Sequence, residues 1–163
     1  MAAKKINKAL NEQIKHELDS SYLYLSMASH CEALNLNGFA SWMQSQSMEE
    51  YDHAMKFYHF LHERGAEVEL LPIDKPPKSF GSPIELFEKA LENEQKVTRL
   101  IHKLYEIALD ESDYPAQVML HWFIEEQVEE ENMVTEIIEQ LKLAGDKGAA
   151  LLMMDRQLAQ RGE

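Results

Sequence analysis

Six residues of this sequence have the types and spacing of a metal centre built inside a bundle of helices. They are Glu17, Glu50, His53, Glu94, Gln127 and Glu130. Glu50 and His53 are three residues apart, as are Gln127 and Glu130, so the members of each pair share one helix face. Carboxylate oxygens and imidazole nitrogens bind transition metals. The pattern therefore predicts a binding site for metal ions.

The two halves of the chain repeat this pattern, which indicates two copies of one helical hairpin. Each half has a Glu on its first helix and an i, i+3 pair on its second. Four pairs of residues have the same separation along the chain: Glu17 and Glu94, Glu49 and Glu126, Glu50 and Gln127, and His53 and Glu130. In each predicted helix, the residues at the core-facing heptad positions are largely apolar near the helix ends and polar near its middle. These polar groups can therefore converge at one height inside a bundle.

Charge balance favours two divalent cations at such a site. Four buried carboxylates would repel one another, and each buried ion costs several kcal/mol. They could take up protons, or they could bind two divalent ions with His53 as a neutral ligand. Di-iron carboxylate bundles use one Glu from each of two helices and Glu-x-x-His from the other two. Here one half has Glu50-x-x-His53 and the other has Gln127-x-x-Glu130. A metal-free bundle with a polar core is the alternative, although such cores usually contain one polar residue.

The elements that must position these residues are long helices, because the 6 glycines and 5 prolines leave long stretches without helix breakers. We predict an all-α fold: one domain over residues 1–163, with a four-helix bundle at 5–144 and a short fifth helix at 149–160. The predicted boundaries between helices are 35–38, 66–83, 112–115 and 145–148. The apolar stretch Ala149–Met154 needs a partner, either at a subunit symmetry axis or on its own bundle.

The segment at residues 66–83 predicts the topology. It can reach about 60 Å at about 3.3 Å per residue, whereas the second helix is roughly 40 Å long. A link of this length can cross the whole bundle. Helices two and three are therefore predicted to run parallel.

Composition argues against several classes of partner. The net charge of -13 disfavours nucleic acid, whose binding requires Lys and Arg to neutralise phosphates. Cys31 is the single cysteine, so no intrachain disulfide is expected, and a reducing cytoplasmic compartment fits. Residues 1–20 lack the apolar run of a signal peptide, and no apolar run approaches membrane-span length. We expect neither nucleic acid nor membrane as a partner.

The residues of the predicted centre resemble those of the ferritins, in particular the bacterial non-haem ferritins. Four segments carry the resemblance: Lys15–Tyr22, Glu49–His53, Leu91–Glu94 and Glu125–Glu131. The long link and the short last helix extend it over the whole chain. The resemblance implies a ferritin-like fold and a homo-oligomeric cage of about 24 subunits. It also implies oxidation of Fe(II) by dioxygen or hydrogen peroxide, followed by storage of a ferric mineral.

The same resemblance implies roles for individual residues. The first iron site would comprise Glu17, Glu50 and His53. The second would comprise Glu50, Glu94 and Glu130, with Glu50 bridging and Gln127 supplying an amide near the irons. A third iron site would comprise Glu49, Glu126, Glu129 and Glu130. A solvated acidic surface is the alternative for Glu49, Glu126 and Glu129, and Glu131 is assigned to the surface.

Two aromatic residues and one departure from the family refine these expectations. Tyr24 lies two helical turns after Glu17 and resembles a tyrosine that donates an electron, although a core tyrosine is nearly as good an interpretation. Trp122 could share that role, although packing is favoured. Bacterioferritins, which bind haem, have Met where this chain has Tyr51 and His where it has Glu130. Haem is therefore not expected.

Three other functions remain open from the sequence. A di-iron enzyme acting on peroxide or an organic substrate is one, although a single cysteine cannot build the cysteine-rich domain of rubrerythrin-type peroxidases. A metal-free interaction bundle is the second. A DNA-protecting mini-ferritin is the third, but it has its metal site between subunits, whereas both hairpins here can supply ligands within one chain.

Overall fold

The computed structural model describes residues 4–145 and 148–161, and all regular structure in these ranges is helical. The helices are α1 Lys5–Ala33, α2 Asn37–Glu63, α3 Pro83–Asp110, α4 Tyr114–Ala144 and α5 Gly148–Leu158. The prediction of an all-α four-helix bundle with a short fifth helix is confirmed. The first and last residues of these helices lie within about two residues of their predicted positions, which is the usual uncertainty of a helix end.

Local capping interactions explain where α3 and α4 begin. Ser82 and Glu85 form a capping box, in which the Ser82 hydroxyl accepts from the Glu85 amide and the Glu85 carboxylate accepts from the Ser82 amide. Pro83 occupies the first turn, where its missing N–H costs nothing. The Asp113 carboxylate caps α4 by accepting from the Ala116 amide at 3.1 Å.

Two apolar clusters lie at opposite ends of the bundle. One packs Ile6 and Leu10 from the start of α1 against the ends of α2 and α3 and the start of α4. The other packs the end of α1 against the starts of α2 and α3, the end of α4 and α5. Since α2 and α3 start in the same cluster and end in the same cluster, they run parallel. This confirms the predicted crossover.

The connection between α2 and α3 is held along the length of α1. Successive α1 side chains hydrogen-bond the connection in chain order: Asn11 to the carbonyl of Glu69, Asp19 to the amide of Asp74, Ser26 to the carbonyl of Pro77, and His30 to the carbonyl of Gly81. The connection has no helix or strand of its own, but these contacts fix its path.

Helix α5 docks on the start of α2. The Asp155 carboxylate accepts from the Phe39 amide at 3.0 Å, where the helix dipole favours a negative charge. A Cβ at Gly38 would lie 1.7 Å from the Asp155 carbonyl oxygen, so only glycine permits this approach. Met154 and Leu158 are buried, while Met153 remains exposed. Part of the apolar stretch thus packs on its own bundle.

None of the described helices combines the length and apolar character needed to span a bilayer.

Asp113 also joins three elements at the other end of the bundle. Its carboxylate, which is fully buried, accepts from Arg64 at 2.5 Å and from Lys4 at 3.3 Å. Burial opposes ionisation, but hydrogen bonds from Arg64 and the Ala116 amide outweigh it and hold the pKa of Asp113 below its ordinary value. A depressed pKa means that this stabilisation is present at neutral pH and is lost as the pH falls below the ordinary value.

We expect Asp113→Ala to lower the free energy of unfolding at neutral pH by about 3 kcal/mol, because it leaves the Arg64 guanidinium unpaired and removes a helix cap. Denaturant unfolding at matched protein concentration measures this change. Asp110→Ala, which removes an exposed carboxylate at the end of α3, is the control and should change stability by less than about 0.5 kcal/mol. Equal stability of the two variants would contradict the assigned role of Asp113.

Candidate metal centre

The middle of the bundle, between the two apolar clusters, is polar and buried. Six side chains meet there with exposures of 0–4%: Glu17, Glu50, His53, Glu94, Gln127 and Glu130. They come from all four long helices, at the polar positions that interrupt each apolar seam. The structure therefore brings together the whole set that the sequence pattern singles out. Their role as metal ligands stays a prediction.

Three groups of carboxylate and imidazole atoms among the described residues have the spacing needed to hold a metal ion, and two of them lie wholly within this centre. In each group the ligand atoms lie within 4.8 Å of one another. Of these two, one is Glu17, Glu50 and His53, and the other is Glu50, Glu94 and Glu130. Glu50 belongs to both. This arrangement suits two adjacent cations that share one carboxylate.

Several buried oxygens at this centre have no hydrogen-bond partner within the described residues. They are Glu17 Oε2, both oxygens of Glu94, Gln127 Oε1 and the Tyr24 hydroxyl. Buried polar atoms are normally paired, and an unpaired carboxylate oxygen is costly. The three carboxylate oxygens are acceptors that a cation would satisfy, and hard oxygen donors suit ferric iron. The donor set therefore fits iron.

Without metal, the centre must hold protons. Burial, reinforced by the Glu50 carboxylate, raises the pKa of Glu17 and of Glu94 well above the ordinary value. The same two causes raise the pKa of Glu130 to about 8. Burial opposes ionisation of His53 and of Glu50, but their mutual hydrogen bond, their opposite charges and the other polar groups around them together outweigh it. They raise the pKa of His53 to about 9 and lower that of Glu50. Binding a cation must therefore release protons.

Glutamine amides orient three of the carboxylates. Gln13 donates to Glu17 at 3.2 Å. Gln46 donates to Glu50 and to Glu130, each at 2.8 Å. Neither glutamine is assigned a role from the sequence. A signal was present, because each stands four residues before a glutamate of the centre and so on the same helix face.

The Gln127 amide is anchored away from the carboxylates. Its nitrogen donates to the Glu94 carbonyl and to the Thr98 hydroxyl, both at 3.1 Å. Its oxygen is left unpartnered among the described residues. Thr98 in turn lies 2.5 Å from a carboxylate oxygen of Glu131, which is partly buried. The prediction that Glu131 is a surface residue is therefore only partly correct. The Glu131 side chain is partly buried and supports the position of Gln127 through Thr98.

The residues of the expected third site are only partly brought together. Glu126 lies 3.9 Å from His53 Nε2 and forms a possible metal-binding group with His53 and Glu130. Within the described residues, no such group includes Glu49 or Glu129. Glu129 is exposed, and Glu49 forms an ion pair at 3.1 Å with Arg161, just beyond α5.

The two candidate electron donors differ in their surroundings. Tyr24 is fully buried, and burial together with the nearby Glu94 and Glu50 carboxylates raises the pKa of its hydroxyl well above the ordinary value. Trp122 is 40% exposed, with its ring centroid 5.4 Å from that of His53 and Lys56 Nζ 4.1 Å above its ring. An electron-donating role stays a prediction for each.

Comparisons with known proteins agree with this geometry. Residues 7–144 match the family described as Ferritin-like domain. The bacterial non-heme ferritin of Staphylococcus aureus strain USA300 is 37% identical over 161 residues, covering 99% of this chain and 97% of that protein. The bacterial non-heme ferritin of Bacteroides fragilis strain 638R is 41% identical, covering 99% of this chain and 100% of that protein. A solved open pore ferritin from Archaeoglobus fulgidus superposes with a TM-score of 0.96 at 43% identity, covering 99% of each chain.

The raised pKa values predict how the stability of the metal-free protein depends on pH. For Glu17, Glu94, Glu130 and His53 the folded state holds protons that the unfolded state has lost. The contribution to stability is therefore full at low pH and falls as pH rises from about 5 to about 9. We expect the free energy of unfolding to be lower at about pH 8.5 than at about pH 6, as measured by denaturant unfolding.

A variant and a metal provide controls for this expectation. Glu94→Gln removes one buried ionisation and should weaken the pH dependence, whereas Glu92→Gln, at an exposed position of α3, should leave it unchanged. Saturating Zn²⁺ should abolish the fall, because the metal takes the place of the protons. Metal-free stability that stays flat or rises over this range would contradict the proton assignment.

Proposed function

Because this chain belongs to the ferritin family, we propose that it stores iron and oxidises Fe(II) at its buried carboxylate centre. The observation that carries this proposal is the sharing of Glu50 between two buried ligand groups. A shared carboxylate can hold two ferrous ions next to each other. Adjacent ions can together deliver two electrons to one oxidant, which a single ion cannot.

In this proposal iron is the substrate. One Fe(II) ion would be bound by Glu17, Glu50 and His53. A second would be bound by Glu50, Glu94 and Glu130. Each ion gives one electron to dioxygen, and with two protons the dioxygen becomes hydrogen peroxide. Hydrogen peroxide can itself serve as the two-electron oxidant: it takes one electron from each of two Fe(II) ions and two protons, and becomes two water molecules. Four carboxylates stabilise the Fe(III) product, while the imidazole retains affinity for Fe(II).

The chain's own side chains prepare this step. Gln13 and Gln46 hold Glu17, Glu50 and Glu130 in orientations that leave other carboxylate oxygens free for metal. Protons held by the metal-free carboxyls leave as iron enters. Apolar clusters on both sides limit access of water to the centre. We also propose that Tyr24, with Trp122 as the second candidate, can supply one further electron to the dioxygen or hydrogen peroxide that is reduced at the centre.

We further propose that Fe(III) leaves the centre and is deposited as mineral inside a homo-oligomeric cage of about 24 subunits in the cytoplasm. The relatives named as bacterial non-heme ferritins support this assignment. So does the apolar surface that α5 leaves exposed at Leu152 and Met153, which suits a subunit contact. The net charge of -13 would attract Fe(II) to the protein. Residues 1–163 would form the single domain of the subunit.

We expect Glu50→Ala to slow the initial aerobic oxidation of Fe(II) by about 10- to 100-fold, because it removes the carboxylate common to both groups. Stopped-flow absorbance of the ferric product measures the rate. Glu125→Ala removes an exposed carboxylate from α4 and should leave the rate unchanged. Equal initial rates in the wild-type protein and Glu50→Ala would contradict oxidation at this centre.

The proposed storage of iron can be tested separately from its oxidation. After aerobic addition of many Fe(II) ions per chain, we expect the iron to stay in solution and to elute with a large protein assembly on size-exclusion chromatography. A cage retains mineral that would precipitate in buffer alone. Iron that is oxidised rapidly but precipitates, or a protein that elutes as a small species, would favour a di-iron enzyme over a storage protein.

A further inference from the structure

Arg161, just beyond α5, reaches the edge of the metal centre. Its side chain is 15% exposed. Nη1 donates to the Trp42 carbonyl at 3.1 Å, and the guanidinium lies 4.3 Å from the centroid of the Trp42 ring. Nη2 donates to Gln46 Oε1 at 2.6 Å and forms an ion pair with Glu49 Oε2 at 3.1 Å. The guanidinium is therefore held by four separate interactions.

The contact with Gln46 fixes the orientation of that amide. An amide has one accepting oxygen and one donating nitrogen. Because Arg161 takes the oxygen, the nitrogen must face Glu50 and Glu130, and it donates to both at 2.8 Å. A flipped amide would place its oxygen against two carboxylates and its NH₂ group against a guanidinium. Arg161 thus acts on the shared carboxylate through one intervening side chain.

The contact with Glu49 removes a carboxylate from the expected third site. The expected third site includes Glu49, and the Glu49 carboxylate forms an ion pair with the Arg161 guanidinium. A divalent cation that used Glu49 as a ligand would have to displace the guanidinium or lie beside it, and like charges repel. Charge-assisted hydrogen bonds are stronger than neutral ones, so this displacement has a cost.

The position of Arg161 follows from the docking of α5. Asp155 holds the helix on the amide of Phe39, and Met154 and Leu158 are buried against the bundle. The close approach at Gly38 sets the same register. The end of α5 is therefore directed along α2 towards Gln46.

We propose that Arg161 is a positioning residue that competes with a third metal ion for Glu49 while it holds the Gln46 amide towards Glu50 and Glu130. This inference rests on the proposed function of the buried centre. It predicts that the first two ions bind with Arg161 in place. A third ion binds more weakly, because it must displace the guanidinium from Glu49.

Anaerobic titration of the metal-free, assembled protein with Co²⁺, followed by equilibrium dialysis and visible absorption, tests this competition without turnover. In the wild-type protein we expect two tight sites and one weak site per chain. Arg161→Gln should tighten the third site by about tenfold, the equivalent of one charge-assisted hydrogen bond. Arg161→Lys keeps the charge and should restore most of the competition.

Two further variants separate this competition from a general effect of charge. Arg156→Gln removes the same charge from an exposed position on α5 and should leave all three affinities unchanged. In a Glu49→Gln background, Arg161→Gln should give no gain at the third site, because the contested carboxylate is absent. An equal gain in that background would overturn the proposal.

The titration also distinguishes failure of this inference from failure of the proposed function. If the wild-type protein binds two Co²⁺ ions tightly and Arg161→Gln leaves the third affinity unchanged, Arg161 has no competing role but the centre stands. If the wild-type protein shows no tight sites, or if Glu50→Ala leaves them intact, the proposed function itself fails.

Discussion

The interaction on which this structure depends is the mutual repulsion of four carboxylates buried at the middle of one bundle. Ionised together without partners, Glu17, Glu50, Glu94 and Glu130 would oppose folding, since each buried ion costs several kcal/mol. The fold tolerates them because two apolar clusters on either side supply the packing energy. Protons, the His53 imidazole and glutamine amides compensate part of the charge. The remaining free oxygens make the centre a receptor for cations.

The long connection between α2 and α3 and the docked α5 both serve this centre. Because the connection follows α1 from Asn11 to His30, α2 and α3 run parallel and the two hairpins face each other. Each hairpin then contributes matching residues at the same height. Docking of α5 places a positive group just beyond it, Arg161, whose effect reaches Glu50 and Glu130 through Gln46. The segment just after α5 and the metal centre are thereby coupled through hydrogen bonds.

The sequence was sufficient to predict the bundle, its crossover and the six buried polar residues, because heptad spacing and the repeated hairpin depend on local periodicity. It did not predict the roles of Gln46 or Arg161. The Arg161 contacts depend on the docking of α5, which is set by Asp155 meeting the start of α2 and by the bare backbone at Gly38. Such contacts between distant segments leave no periodic signal. The third site was expected from resemblance, and the pairing of Glu49 with Arg161 could not be anticipated from spacing.

The most direct measurement of the central claim is anomalous X-ray diffraction from crystals of the protein soaked anaerobically with Fe(II). The account predicts two neighbouring iron peaks between the four helices. Both should lie within bonding distance of Glu50, one near Glu17 and His53 and the other near Glu94 and Glu130. Iron only at surface carboxylates, or a single ion that does not touch Glu50, would contradict it.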